Sequence, residues 1–268
     1  MPTPATDPSR HERWEAGDAY EFYVGRWSRR VAAEFVPWLG VPPGARWLDV
    51  GCGSGALTET VLRLASPREA LGIDPSPGFV AHAGRTVGRA RFEIGDARAL
   101  AAADGSFDAV VSGLVLNFVP RPDRALAEMA RVTRAGGVVA FYVWDYAGEM
   151  QCMRRFWDAA TALDPGALDL DESRRFPICR PEPLERLARE AGLRDVVIRA
   201  IDARTRFASF DDYWDPFLGG QGPAPGYAVS LDEERGAALR ARLLDRLPIA
   251  ADGSIDLVAR AWAARGTR

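Results

Sequence analysis

The residues of this 268-residue chain that are best placed to do chemistry are aspartates beside a run of glycines. Asp49 lies two residues before Gly51-Cys52-Gly53-Ser54-Gly55, which separates a short apolar run from a helical pattern. Glycine lets the backbone turn sharply and brings no Cβ between the chain and a ligand. We expect free N–H groups of this turn to face that ligand. An acid at this place suits a ligand that carries a cation.

Two further acids follow two further apolar runs. Asp74 comes directly after Ala70–Ile73, and Gly95-Asp96-Ala97 comes directly after Arg91–Ile94. A carboxylate in the position of Asp74 can accept hydrogen bonds from both hydroxyls of a ribose. The glycine spacing is G-x-G-x-G, whereas dinucleotide-binding turns use G-x-G-x-x-G. The pattern therefore indicates a nucleoside-containing ligand other than a dinucleotide.

Strand and helix patterns alternate along most of the chain, which predicts an α/β fold with a parallel, doubly wound sheet. The predicted strands are 46–50, 69–73, 91–94, 107–111, 138–144, 193–201 and 254–262. The predicted helices are about 14–39, 55–65, 77–87, 121–134, 181–191 and 231–246. Ligands of such sheets bind at the carboxyl ends of the strands, where all three acids lie. We expect the insertion at 204–248 to be mobile without its ligand, because glycines and prolines alternate in its loop from Gly219 to Tyr227.

The three motifs D-x-G-x-G-x-G, G-I-D and G-D-A together resemble the class I S-adenosylmethionine-dependent methyltransferases. The resemblance covers roughly Trp47 to Trp144. It implies a Rossmann-like, mostly parallel seven-stranded sheet whose last strand runs antiparallel between the fifth and sixth. It also implies S-adenosylmethionine as cofactor and S-adenosylhomocysteine as product. The whole chain is then one domain, with an N-terminal helical lid (1–45), a cofactor-binding core (46–145) and helical cap insertions (146–178 and 204–248).

The resemblance also implies contacts for individual residues. Asp74 would accept the ribose hydroxyls, and Asp96 the adenine amine, with the Ala97 N–H near a ring nitrogen. Tyr23 or Arg30 would reach the cofactor carboxylate from the lid, and Ser112 and Leu114 would contact the methionine moiety through their carbonyls. The implied cofactor residues are Tyr23, Arg30, Asp49, Gly51, Cys52, Gly53, Asp74, Pro75, Ser76, Gly95, Asp96, Ala97, Ser112 and Leu114. The candidate substrate residues are Asn117, Trp144, Tyr213, Trp214 and Phe217.

The methyl acceptor is expected to be a small molecule. The segment 112–117 lacks the paired prolines typical of methyltransferases that act on amide or base nitrogens. It is similar to the small-molecule branch, many members of which have His where Asn117 stands. The aromatic residues of the insertions suit a planar or lipophilic acceptor, or they form the core of the insertions. We identify no catalytic base, so catalysis is expected to rest on alignment of the reactants.

Composition excludes several other classes of protein. The chain contains no Lys, which excludes a Schiff-base lysine and a P-loop, and its net charge of −3 gives no reason to expect nucleic-acid binding. Three scattered cysteines and two histidines argue against a metal site and suit a reducing cytoplasm. The N-terminus has no signal-peptide pattern, and no apolar run is long enough to cross a membrane. The alternatives left open are a nicotinamide-dependent oxidoreductase and a non-catalytic protein that binds S-adenosylmethionine.

Overall fold

The structure is a computed structural model that describes residues 25–220 and 222–268. Strands and helices alternate in it as the sequence predicts. The strands are β1 (Arg46–Val50), β2 (Glu69–Asp74), β3 (Arg91–Ile94), β4 (Phe107–Gly113), β5 (Thr133–Trp144), β6 (Arg194–Phe207) and β7 (Ile255–Thr267). The helices are α1 (Arg26–Trp38), α2 (Ala56–Leu64), α3 (Pro77–Thr86), α4 (Pro122–Val132), α5 (Gln151–Leu163), α6 (Glu172–Arg175), α7 (Pro181–Glu190), α8 (Phe210–Trp214), α9 (Pro223–Ser230) and α10 (Glu233–Arg246).

The strands form one seven-stranded sheet in the order β3-β2-β1-β4-β5-β7-β6. β1 pairs in parallel with β2 and with β4, so the order of strands reverses at β1. β7 runs antiparallel to β5, with Val143 opposite Trp262. The predicted fold class is therefore confirmed, including the antiparallel last strand between β5 and β6. The reversal at β1 is the point where α/β sheets of this kind open a crevice for a ligand.

The described chain divides into two compact units. The core unit comprises Gly25–Asp145, Pro177–Ala203 and Arg260–Arg268. Its centre is apolar because β1 and β4 are buried on both faces, as parallel strands covered by helices must be. The helix α1 packs against α2, and the ring of Phe35 on α1 meets Tyr142 edge-on at 4.7 Å. The part of the predicted lid before Gly25 lies outside the described residues.

The described part of the second unit comprises Tyr146–Phe176 and Arg204–Ala259. Its interior is a cluster of aromatic side chains, in which Phe156 stacks on Phe217 at 4.5 Å. The buried carboxylate of Asp171 pairs with Arg154 at 2.8 Å, which ties α5 to the start of α6. This unit therefore has a hydrophobic core of its own.

Several element boundaries differ from the prediction. β6 continues to Phe207 and β7 to Thr267, because buried and exposed residues go on alternating along both strands. β5 begins at Thr133, with an irregular register before Val138. The segment from Gly219 to Tyr227 is not an open loop, because Pro223 begins the helix α9, whose residues 223–228 are buried.

Candidate functional site

The glycine turn adopts backbone conformations that other residues rarely take. Gly51, Gly53 and Gly55 have φ angles of +74°, +51° and +89°. A Cβ on Gly51 would lie 2.5 Å from a methyl carbon of Val115, so the segment after β4 lies directly against the turn. A Cβ on Gly53 would meet no described atom within 4 Å. The turn is therefore packed on the side of Val115 and open at Gly53.

The N–H groups of this turn are not free, which corrects the sequence-based expectation. Gly51 and Cys52 both donate to the carbonyl of Ile73, at 2.7 and 3.0 Å. The Gly53 N–H donates to Asp74 Oδ2 at 3.0 Å. These bonds attach the turn to β2, so side chains rather than these three N–H groups must supply the recognition of a ligand.

Asp49 is a buried acid with one unpartnered oxygen. Its side chain lies at the end of β1 and is 3% exposed. Oδ2 accepts a hydrogen bond of 2.6 Å from the Thr58 hydroxyl on α2, while Oδ1 has no partner among the described residues. Burial raises the pKa of this carboxyl to about 7, with a smaller contribution from the charge of Asp74. Such an oxygen suits a cationic group of a ligand, because an unpaired buried acceptor is unfavourable by itself.

Asp74 uses both of its oxygens to hold the backbone. Oδ2 accepts from Gly53, and Oδ1 accepts from the Ser76 N–H at 2.9 Å. Burial raises the pKa of this carboxyl, although both N–H groups favour its charged form. Each oxygen keeps a further lone pair for a ligand hydroxyl. Ser76 in turn caps α3, since its hydroxyl accepts from the Phe79 N–H at 3.4 Å.

Asp96 is paired with a residue that the sequence analysis did not identify. The Arg98 side chain binds both oxygens, with Nη2 to Oδ2 at 2.6 Å, and this contact lowers the pKa of Asp96 to about 2. The carboxylate is partly exposed, so the pair is screened by solvent. The only signal for this pair in the sequence is the position of Arg98 two residues after Asp96. Thr58 was missed as well, although the first turn of α2 had to face the end of β1.

The end of β4 turns sharply away from the sheet. The Ser112 hydroxyl donates to the Val50 carbonyl at 2.7 Å and so joins β4 to the last residue of β1. Leu114 has a φ angle of +63°, and its N–H donates to the Tyr142 carbonyl at 2.8 Å. A non-glycine residue in this conformation is strained, which is common near functional sites. The expected carbonyl contacts of Ser112 and Leu114 with a ligand stay predictions.

Asn117 lies in the turn that follows. The Phe118 N–H donates to the Val115 carbonyl at 2.8 Å, which closes this turn. Both polar atoms of the Asn117 side chain, Oδ1 and Nδ2, are buried and have no partner among the described residues. Buried polar atoms in proteins are nearly always hydrogen-bonded, so this side chain lacks the partners it needs.

The described residues contain no group of three or more His, Cys, Asp or Glu side chains that could hold a metal ion. Within those same residues, no helix combines the length and the apolar character needed to cross a bilayer. Cys52, in the glycine turn, is buried, and burial raises the pKa of its thiol. The thiol therefore stays protonated and is not an activated nucleophile.

Comparison with known proteins agrees with this geometry. A family model described as "Methyltransferase domain" matches residues 48–141. A demethylmenaquinone methyltransferase of Roseiflexus castenholzii is 36% identical over 180 residues, which are 61% of this chain and 74% of that protein. The chain belongs to the class I S-adenosylmethionine-dependent methyltransferases. The predicted family is therefore confirmed.

Other similarities are narrower. A demethylmenaquinone methyltransferase of Renibacterium salmoninarum is 40% identical over 112 residues, 42% of this chain, and the match spans less than half (45%) of that relative. The solved phosphoethanolamine N-methyltransferase 2 of Haemonchus contortus, in complex with S-adenosylmethionine, has a TM-score of 0.57 at 16% identity. The match covers 100% of this chain and 61% of the Haemonchus protein. At that identity the likeness concerns the fold alone.

The described residues of the site fit S-adenosylmethionine, the cofactor of this family. The unpartnered Oδ1 of Asp49 suits a cationic group, and the remaining lone pairs of Asp74 suit two hydroxyls. The open side of Gly53 leaves room close to the backbone. Gly95 also needs its small size, because a Cβ there would lie 2.6 Å from Ile73. Ala97, directly after Asp96, is buried.

Other predicted site residues of the methyltransferase lie elsewhere in the two units. Tyr23 lies outside the described residues. Arg30 is an exposed residue of α1 whose guanidinium lies 5.2 Å from the centre of the Trp27 ring. Trp144, the last residue of β5, is 2% exposed. Whether Arg30 or Trp144 contacts a ligand stays a prediction.

The three aromatic candidates of the second unit belong to its core. Tyr213, Trp214 and Phe217 are each less than 10% exposed. The Tyr213 hydroxyl donates to the Cys152 carbonyl at 2.8 Å, and its ring lies 5.4 Å from Phe217. This is the arrangement expected of residues that stabilise the unit. Their role in lining a substrate pocket remains a prediction.

Proposed function

We propose that this protein transfers the methyl group of S-adenosylmethionine to a small molecule with an aromatic or lipophilic frame. The observation that carries the proposal is that Oδ1 of Asp49 has no partner among the described residues and lies beside a glycine turn that Asp74 holds in place. Family membership supports it, since relatives are named for small acceptors: demethylmenaquinone, a 2-methyl-6-phytyl-1,4-hydroquinone and trans-aconitate.

The residues of the site have separable roles in this proposal. When bound, S-adenosylmethionine supplies an electrophilic methyl group, and its C–S bond breaks with the electron pair left on sulfur. Asp49 receives the cationic end of the amino acid moiety, and Asp74 holds the ribose. Asp96, fixed by Arg98, accepts from the adenine amine. The buried segment after β4 excludes water from the reacting atoms.

We identify no base for the acceptor among the residues that the structure describes. His82 lies on α3. Asn117 stands where relatives of this branch often have His, and its side-chain amide does not act as a base. Catalysis then rests on alignment, which contributes roughly 7–11 kcal/mol in favourable cases. The lone pair of the acceptor forms the new bond, and any proton carried by the methylated product is lost to bulk solvent after the product leaves the site. The acceptor is therefore already nucleophilic near neutral pH: an amine, an acidic phenol or an enolate carbon.

The remaining expectations are part of this proposal. The predicted lid (1–45) and insertions (146–178 and 204–248) would exclude water and bind the acceptor. The net charge of −3 gives no reason to expect nucleic acid as the substrate. A cytoplasmic location, suggested by the sparse cysteines, stays a prediction.

Two measurements test the proposal. Calorimetry with S-adenosylmethionine, S-adenosylhomocysteine and NADH should show binding of the first two and none of the third. Incubation with S-adenosylmethionine and a metabolite extract should then release S-adenosylhomocysteine and yield a methylated product by mass spectrometry. Binding without any methylated product would favour the non-catalytic alternative, and NADH binding alone would contradict the proposal.

A further inference from the structure

Asn117 carries two buried polar atoms that have no partner among residues 25–220 and 222–268. An Asn side chain in a turn usually bonds its own backbone two residues on. Asn117 does not, and Oδ1 and Nδ2 have neither a described partner nor contact with solvent. The neighbouring Ser112 shows the contrast, because its buried hydroxyl is bonded to Val50 at 2.7 Å. Leaving buried polar atoms unbonded is unfavourable for folding, so Asn117 is not explained by stability.

The residues that precede Asn117 fix the path of the chain that leads to it. Gly113 cannot carry a side chain, since a Cβ would lie 2.5 Å from the Tyr142 hydroxyl oxygen. The strained Leu114 turns the chain off the sheet, and Val115 then meets Gly51 of the cofactor turn. Asn117 follows two residues later, after the fully buried Leu116. Asn117 is therefore two residues from the side chain that packs against the turn on which the cofactor is proposed to bind.

We infer that Asn117 determines acceptor specificity by binding a neutral group that presents a hydrogen-bond donor beside an acceptor. The amide oxygen only accepts hydrogen bonds and the amide nitrogen only donates them. The two atoms lie side by side because they are bonded to the same carbon. The same complementarity lets Asn bind the neighbouring donor and acceptor of an adenine edge. A vicinal pair of hydroxyls or an amide has this arrangement, whereas a carboxylate has only acceptors and an ammonium only donors. This inference rests on the proposed function.

Catechol and resorcinol are a matched pair of probes. In catechol one hydroxyl can donate to Oδ1 while the neighbouring oxygen accepts from Nδ2. Resorcinol has the same atoms with the hydroxyls too far apart for both bonds. With the protein saturated with S-adenosylhomocysteine, calorimetry should show at least tenfold tighter binding of catechol. Asn117→Leu should abolish this preference and leave the affinity for S-adenosylhomocysteine within twofold.

Thermal unfolding of the ligand-free protein gives an independent readout. Asn117→Leu removes two unpartnered polar atoms, so we expect its Tm to rise by roughly 2 °C or more. Ser112→Ala, the matched control, removes a partnered atom and should lower the Tm. A residue that only supported the turn would lower the Tm when replaced.

The outcomes separate this inference from the proposed function. It is overturned if the wild type does not prefer catechol, if Asn117→Leu keeps the preference, or if that variant has a lower Tm. It is also overturned if Asn117→Leu weakens S-adenosylhomocysteine binding tenfold, which would place Asn117 at the amino acid end of the cofactor. Failure of the wild type to bind S-adenosylhomocysteine would contradict the proposed function itself.

Discussion

The Thr58 hydroxyl donates to Asp49 Oδ2 at 2.6 Å and links the first turn of α2 to the end of β1. This bond fixes the carboxyl group, while Oδ1 has no partner in the described part of the chain. The carboxyl is buried and lies near the charge of Asp74, and both raise its pKa to about 7. The protonation of Asp49 should therefore change within the range in which enzymes are assayed.

Cofactor binding should strengthen as the pH rises towards 7. If the cationic end of S-adenosylhomocysteine pairs with the ionised Asp49, each pH unit below about 7 should weaken binding by up to about tenfold. Calorimetry between pH 5.5 and 8.5 measures this dependence. In Asp49→Asn, which cannot ionise, the affinity should be low and nearly independent of pH. An equally steep dependence in that variant would assign the titration to another group.

Replacing Asp74 should affect both the cofactor and the fold. Asp74→Ala removes the proposed ribose contacts, worth roughly 1.5–3 kcal/mol for bonds to a charged group, and should weaken S-adenosylhomocysteine binding at least tenfold. It also leaves the N–H groups of Gly53 and Ser76 without their acceptor, so the Tm should fall. Unchanged affinity by calorimetry would remove Asp74 from the site.

Glu172 should make the protein less stable at alkaline pH. It is 2% exposed, accepts a hydrogen bond from the Trp157 indole, and has a pKa raised by burial from 4.5 to about 7. A carboxyl group whose pKa is higher in the folded than in the unfolded protein stabilises the fold at any pH below the unfolded pKa. This stabilisation is lost as the pH rises through the folded pKa of about 7. The loss amounts to about 3 kcal/mol, an order-of-magnitude figure. Urea unfolding at pH 5 and pH 8 measures it.

A pair of neighbouring variants tests this assignment. Glu172→Gln keeps an acceptor for the Trp157 indole but cannot ionise, so its stability should depend less on pH and exceed that of the wild type at pH 8. Asp171→Asn weakens the ion pair with Arg154 and should lower stability at both pH values. Equal pH dependence in Glu172→Gln and the wild type would exclude Glu172 as the titrating group.

His82 should not act as a general base. It is a partly exposed residue of α3, where its carbonyl accepts from the Thr86 hydroxyl at 2.9 Å. His82→Ala should keep the turnover rate within about threefold, whereas losing a general base typically costs roughly 10²–10⁴. Steady-state kinetics with the acceptor found in the extract gives the rate. A hundredfold loss at unchanged cofactor affinity would show that His82 reaches the reacting atoms.

The sequence was sufficient to predict the sheet, because each apolar run was followed by a turn or helix signal. That β1 and β2 run parallel then follows from the helix that connects them, whereas the register, such as Trp47 opposite Ala70, comes from the structure. The end of β6 was missed because the arginines at 204 and 206 resemble a loop, although Thr205 between them is buried. Periodicity shows which residues face the core only once a strand has been recognised.

The candidate site was predictable in residue type but not in hydrogen bonding. Asp49 and Asp74 followed from their places at strand ends. The hydrogen bonds from the glycine turn to the Ile73 carbonyl could not be predicted, and neither could the pairing of Asp96 with Arg98. Both depend on the positions of neighbouring segments in the folded chain. The unpartnered amide of Asn117 is likewise visible only when burial is known.

The place of β7 between β5 and β6 has a consequence for synthesis on the ribosome. The strands emerge in sequence order, so six of them are available before the one that joins β5 to β6. Until Thr267 has left the exit tunnel, β5 and β6 both present unpaired backbone edges, which invite wrong pairing with other chains. The nascent chain should therefore depend on chaperones until β7 has emerged, and the sheet can close only then.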